Sequence, residues 1–253
     1  MLLKPVFIQS TNLNDTYFTL LYNLWYEGKK YKITSGSHKG NNRLEFDFCS
    51  GVIHFPHERP LAPIMPSGTP PTTTDEEIDK YFANYLMDSK LNPGEHYRYS
   101  CWINGTDHYV RFKNCTLITP IEWVIKHFST NGYGNNHCYI NVGDNDSGFW
   151  YDEPYVDEND RKTSPCLRGI DFKIKENTLI TSVIFRSWDL YAGFPENMGG
   201  FTLLNEYVAE QLGDVAPGPL CFTSTGLHAY DYQTEPIALI LKKDKEFRQC
   251  QLI

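Results

Sequence analysis

Two alternating runs, joined by a short turn, set the strongest constraint on how this chain folds. Ile170, Phe172 and Ile174 alternate with Asp171, Lys173 and Lys175. Further on, Leu179, Thr181, Val183 and Phe185 point one way and Ser182, Ile184 and Arg186 the other. A period of two sends successive side chains to opposite faces of a strand. The Glu176-Asn177 pair between the runs offers a turn, so the segment predicts a β-hairpin near the middle of a sheet. Aromatic residues make up 15% of the chain, which leans the same way because rings suit half-buried pleated surfaces.

The hairpin has a chemical consequence. Cys166 follows Pro165 and precedes the first strand, while Arg186 ends the second. The ends of a hairpin meet, so Arg186 can approach Cys166, and a nearby cation lowers a thiol pKa and raises its thiolate fraction. Free cysteine is also among the most buried residue types, so Cys166 alone reads as well as an inert core residue.

Helical signals surround the hairpin. Phe18, Leu21 and Trp25 recur at helical spacing within residues 15–25. Thr74 and Glu77 form a capping box ahead of Ile78, Tyr81, Phe82, Tyr85 and Leu86. Thr119-Pro120-Ile121-Glu122 repeats that logic with Pro at the first helical position. A fourth helix is expected from about Asn197 to Leu212, stopped by Gly213, and a last strand over Ile237–Leu241 after Pro236. The Pro-rich stretch 56–71 reads as a loop packed on one domain, and the acidic segment Asp152–Asp160 as an exposed loop. Helices mixed with strands predict an α/β fold: one domain over residues 1–253, with a central, mostly antiparallel or mixed sheet.

Composition removes several classes of function. The formal charge is −8, and the longest basic cluster, Lys242, Lys243, Lys245 and Arg248, reads as a solvated tail. Binding to a nucleic-acid polymer needs a basic stripe, so none is expected. The seven cysteines include no C-x-x-C pair, which argues against a disulfide framework or a zinc ribbon, and no metal site is expected. The start of the chain does not read as a signal peptide, and no run approaches the roughly 18 apolar residues of a membrane span. The Asn-x-Ser/Thr triplets at Asn104, Asn114 and Asn145 then read as chance matches, and the expectation is a reduced, cytoplasmic, soluble protein.

Four elements in order carry a resemblance: Pro165-Cys166, Arg186-Ser187-Trp188-Asp189, Pro195-Glu196-Asn197 and His228-Ala229-Tyr230. Together they resemble the catalytic half of the thymidylate synthase superfamily. The wording is closest to archaeal-type synthases and the related pyrimidine nucleotide hydroxymethylases. The match is clear over residues 164–232 and faint earlier, at Tyr97-Arg98-Tyr99 and the helix after Thr74.

The resemblance implies roles. Cys166 would attack C6 of a pyrimidine nucleoside 5′-monophosphate and make C5 nucleophilic. Arg186 and Ser187 would hold the 5′-phosphate, Asn197 would read the base edge, and His228 and Tyr230 would bind the sugar hydroxyl. Asp189 would act on the base or the co-substrate, and Tyr99 would help to hold the latter. The implied reaction transfers a one-carbon unit from 5,10-methylenetetrahydrofolate, or a related reduced pterin, to C5, foremost dUMP to dTMP. If water replaces hydride, the product is a hydroxymethyl derivative of dUMP, dCMP or CMP. A nucleotide-binding homologue without catalysis and a Cys166–His228 hydrolase are the alternatives. A homodimer joined through its sheets is also implied. The family's cross-subunit Arg-Arg pair is missing at Gly134–Cys138, with Arg161 and Lys162, or Arg43 and Arg59, as candidate substitutes. Glu95 is the candidate for the family's early-helix Glu.

Overall fold

The computed structural model of the chain describes residues 2–36, 38–105, 110–111, 117–151 and 163–242. The expected acidic loop at 152–160, Arg161 and Lys162, the basic tail beyond Lys242, Asn114, Cys115 and Cys250 lie outside that set.

The predicted hairpin is the spine of the structure. Strands β8 (Leu167–Lys175) and β9 (Thr178–Phe185) pair antiparallel through a turn in which Glu176 and Asn177 take φ of 51° and 54°. Asn tolerates that left-handed region, and two such residues in a row match the right-handed twist of the strands. Around the hairpin a six-stranded mixed sheet assembles in the order β1-β4-β11-β9-β8-β7. Its other strands are β1 (Pro5–Ser10), β4 (Phe48–Ile53), β7 (Tyr139–Asn141) and β11 (Ala216–Ser224). The β9–β11 and β1–β4 pairs are parallel and the remaining pairs antiparallel. A second sheet orders β10 (Trp188–Asp189), β12 (Leu227–Tyr230), β3 (Asn42–Glu45) and β2 (Lys29–Lys32). A short ribbon pairs β5 (Val110–Arg111) with β6 (Leu117–Ile118).

One face of the large sheet carries the core. Leu179, Val183 and Phe185 of β9 and Leu220 and Phe222 of β11 are all buried there. Helices α1 (Leu13–Glu27) and α5 (Gly193–Leu212) pack against that layer. Within it, Asn205 of α5 donates to Leu179 O and Thr181 Oγ1 and accepts from Gly218 N, so its buried amide is satisfied. The opposite face stays partly open, with Phe7 71% and Ile184 39% exposed.

Both capping boxes form. Helix α2 (Asp75–Tyr81) starts at Thr74 and continues as a π-helical segment, Phe82–Met87. The short α3 (Ser100–Ile103) follows, and α4 (Pro120–Asn131) starts at Thr119. Two expectations need correction. Residues 237–241 are not a strand: α6 (Thr234–Ile240) covers nearly all of them and buries Ile237, Ala238 and Ile240. Pro236 falls in its first turn, where the missing N–H costs nothing. Helix α5 begins at Gly193, four residues before the expected Asn197. Asp189 accepts bonds from Tyr191 N (2.9 Å) and Ala192 N (3.2 Å), which orders the approach to that helix. Among the described residues no helix is long and apolar enough to cross a membrane.

Candidate active site

Cys166 enters the structure at the junction where β8 begins. Arg186 N donates to Cys166 O at 3.0 Å, closing the open end of the hairpin. The Arg186 side chain then folds back over the preceding residues. Its Nε donates to Pro165 O (3.1 Å), and its Nη2 to Ser164 O and Tyr151 Oη (both 2.8 Å). Three bonds in two directions fix the guanidinium beside the thiol. The Tyr151 ring lies under it, 5.5 Å from centroid to Cζ.

Cys166, Arg186, Ser187 and Tyr230 line one cleft of about 640 Å³, together with Arg43, His38 and Tyr97. Sheet register explains part of this. In the β3–β12 pair, Tyr230 sits opposite Arg43 and His228 opposite Glu45. Arg43 Nε lies 2.7 Å from Glu45 Oε2. The His38 ring rests on Tyr230 at 4.3 Å. A cleft of similar volume beside Trp102, Trp123 and Asp144 is lined by neither a thiol nor a guanidinium.

The electrostatics correct one expectation. Burial pushes the Cys166 thiol up, and Arg186 and Arg168 offset this only in part. Desolvation disfavours the charged form of a thiol, and here it outweighs the cations. His228 is 1% exposed and pulled down to about 4, mainly by burial. Its Nδ1 donates to Gly226 O at 2.8 Å, so the ring is the Nδ1–H tautomer. Its Nε2 is then an acceptor, buried and without a partner.

The remaining expected residues stand further back. Asp189 is half-buried, and burial pushes its carboxyl up. Besides the two backbone bonds, it accepts from Gln233 Nε2 at 2.8 Å. Asn197 lies inside α5 rather than at its cap, and its Oδ1 accepts from Trp188 Nε1 at 2.9 Å. Tyr99 is 5% exposed and its hydroxyl accepts from Leu167 N at 3.3 Å, so it braces the strand behind Cys166. Arg59 pairs with Glu206 and Glu95 with Arg98, and neither lines the cleft. Tyr151, His38 and Arg168 were missed in sequence. The only signal for Tyr151 was the aromatic run Phe149-Trp150-Tyr151. No group of three or more metal-ligating side chains occurs among the described residues.

Comparison with known proteins links this chain to the thymidylate synthase superfamily, largely through archaeal sequences. The thymidylate synthase family profile matches residues 151–253. A provisionally named thymidylate synthase of Methanococcoides burtonii is 38% identical over 78 residues, 31% of this chain and 36% of that protein. A provisionally named thymidylate synthase of Methanosarcina mazei is 26% identical over 236 residues, 93% of this chain and 94% of its own length. Among solved structures, thermostable thymidylate synthase A from Bacillus subtilis superposes with a TM-score of 0.66 at 13% identity. That match covers 92% of this chain and 85% of the other, and it speaks for the fold.

Proposed function

We propose that this protein is an enzyme of the thymidylate synthase superfamily, a single catalytic domain working as a homodimer, that adds a one-carbon unit to C5 of a uracil nucleoside 5′-monophosphate. One observation carries the reading: a thiol and two guanidinium groups, Cys166 with Arg186 and Arg43, line the same cleft. The cations supply what a monophosphate dianion needs, and Ser187 adds a hydroxyl donor. Arg43 takes the part for which the missing Arg-Arg pair left a gap.

In this reading the Cys166 thiolate adds to C6, forming an S–C6 bond. The displaced electron pair delocalises over C5 and O4, so C5 becomes the nucleophile. Once C5 carries its substituent, its hydrogen leaves as a proton. The electron pair then expels the folate nitrogen and leaves an exocyclic methylene at C5; a hydride from the reduced folate, or hydroxide from water, adds to that methylene, and the electron pair returned to C5 expels the sulfur and restores the C5–C6 double bond. His228 Nε2, a buried acceptor without a partner, suits a sugar hydroxyl, with Tyr230 beside it.

The reduced folate supplies the one-carbon unit. Asp189 fits that co-substrate: it accepts three N–H groups, and a carboxylate has roughly four acceptor positions, so one remains for an N–H edge. Tyr99 does not fit, because it is enclosed and its hydroxyl is already engaged.

The test is loss of a C5 deuterium label from dUMP and UMP to water in the presence of a reduced folate. Exchange is expected for the wild type and is expected to vanish in Cys166→Ser with nucleotide binding retained, because a serine hydroxyl supplies almost no anion near neutral pH. Binding without exchange in the wild type would leave a nucleotide-binding homologue instead.

A further inference from the structure

The second sheet turns a polar face toward the cleft. In the β3–β12 pair Arg43 lies opposite Tyr230 and Glu45 opposite His228, and directly opposed residues of an antiparallel pair share a face. Arg43 and Tyr230 line the cleft with Cys166, so Glu45, two residues along the same strand, points the same way. Its side chain is 12% exposed, and its Oε2 lies 2.7 Å from Arg43 Nε as an ion pair. Neither atom has another hydrogen-bond partner among the described residues. Burial pushes the Glu45 carboxyl up, and Arg43 offsets this in part. Gly226 ties the carboxylate to the opposite wall. A Cβ there would lie 2.8 Å from Arg186 O, 3.4 Å from Ser187 Cα and 3.6 Å from Glu45 Oε2. The carboxylate therefore converges on the backbone that carries the two expected phosphate holders.

We propose that Glu45 is a positioning residue for Arg43, an inference that rests on the nucleotide reading above: by taking the side edge of the guanidinium, it turns the end edge to the 5′-phosphate. A guanidinium has two edges that can face an anion, Nε with one terminal nitrogen, and the two terminal nitrogens together. A contact at Nε occupies the first edge and leaves the second. An unanchored arginine populates many rotamers and loses that freedom on binding. One already held by a carboxylate has lost it beforehand, which is preorganisation. Glu45 also opposes the incoming phosphate by its own charge. Positioning outweighs that repulsion in this proposal, which fixes the sign of the effect: removing Glu45 weakens phosphate binding rather than strengthening it. Arg186 is held in its turn by the oxygens of Ser164, Pro165 and Tyr151, so each of the two guanidinium groups has its own anchor.

The experiment is a double-mutant cycle on the Kd of dUMP, with wild type, Glu45→Ala, Arg43→Ala and the double variant of the full chain. Glu45→Ala is expected to weaken dUMP binding about tenfold, the scale of one coupled pair. Once Arg43 is already alanine, the same change is expected to cost less than about twofold. Deoxyuridine, which lacks the phosphate, is expected to bind wild type and Glu45→Ala within about twofold of each other. Glu45→Gln keeps an oxygen that accepts from Arg43 Nε and is expected to stay within about threefold of wild type for dUMP. Equal or tighter dUMP binding by Glu45→Ala overturns the proposal. So does an equal loss in both Arg43 backgrounds, an equal loss for deoxyuridine, or a Gln variant as weak as the Ala variant. A wild type that binds no dUMP removes the nucleotide reading and this inference with it, whereas wild-type binding with an additive cycle removes this inference alone. Circular dichroism controls the fold. If Glu45→Ala does not fold, Glu45→Met takes its place in the cycle, and failure of both assigns Glu45 to the fold and overturns the proposal.

Discussion

An amide reads a base only if something fixes which end is oxygen and which is nitrogen. Trp188 does this for Asn197, because indole Nε1–H can only donate and it meets Oδ1 at 2.9 Å. In the proposed reading Asn197 meets the base in that set orientation, which matches O4 and N3–H of uracil and mismatches cytosine. The wild type is therefore expected to prefer uracil nucleotides in kcat/KM. Trp188→Phe is expected to reduce the uracil-to-cytosine ratio about tenfold, the scale of one mispaired buried polar group. Trp188 also stacks on Phe185 at 3.8 Å, so absolute rates will fall as well, and the ratio is the quantity to read. An unchanged ratio would remove Asn197 from base selection. Both residues were visible in the sequence, but the bond between them was not, since it spans the junction from β10 into α5.

At the level of elements, what was legible was local. The Thr74 and Thr119 boxes, the Glu176-Asn177 turn and the Gly213 stop each depend on a few neighbouring residues, and each formed. The run Ile237–Leu241 was misread because a short apolar stretch satisfies a strand and a buried helix equally. Tyr151 was missed because its partner, Arg186, lies 35 residues further on, just past the end of β9. The α2 cap has consequences for the site. Helix α2 runs directly into the π-helical segment that holds Tyr85, and Tyr85 packs edge-on against Tyr99 at 5.1 Å, the residue bracing the strand behind Cys166. Thr74→Ala is expected to cost about 1 kcal/mol in urea denaturation. Loss of nucleotide affinity should be smaller than loss of stability, because the cap lies a full helix away from the cleft. An unchanged denaturation midpoint would show that tertiary packing alone holds α2.

For the whole molecule, the open face of the six-stranded sheet is the feature without an internal partner among the described residues. Phe7 is 71% exposed on β1 and Ile184 39% on β9, and both point away from the helical layer. The proposed homodimer covers this face. Sedimentation at micromolar concentration is expected to show a dimer, and Ile184→Glu to weaken it by tenfold or more, because the carboxylate would be buried unpaired. A monomeric wild type would remove the dimer and leave the cleft as it is. The cleft also bears on how the chain reaches its native state. Its walls come from the β2–β3 connection, Tyr97, the 148–151 segment, the start of β8, the end of β9 and the end of β12. These stretches are distant in sequence, and closing such loops is the slow, entropically costly part of folding. The walls close only when stretches as far apart as the β2–β3 connection and Tyr230 have come together, so the finished cleft around Cys166 belongs to the late, long-range part of folding.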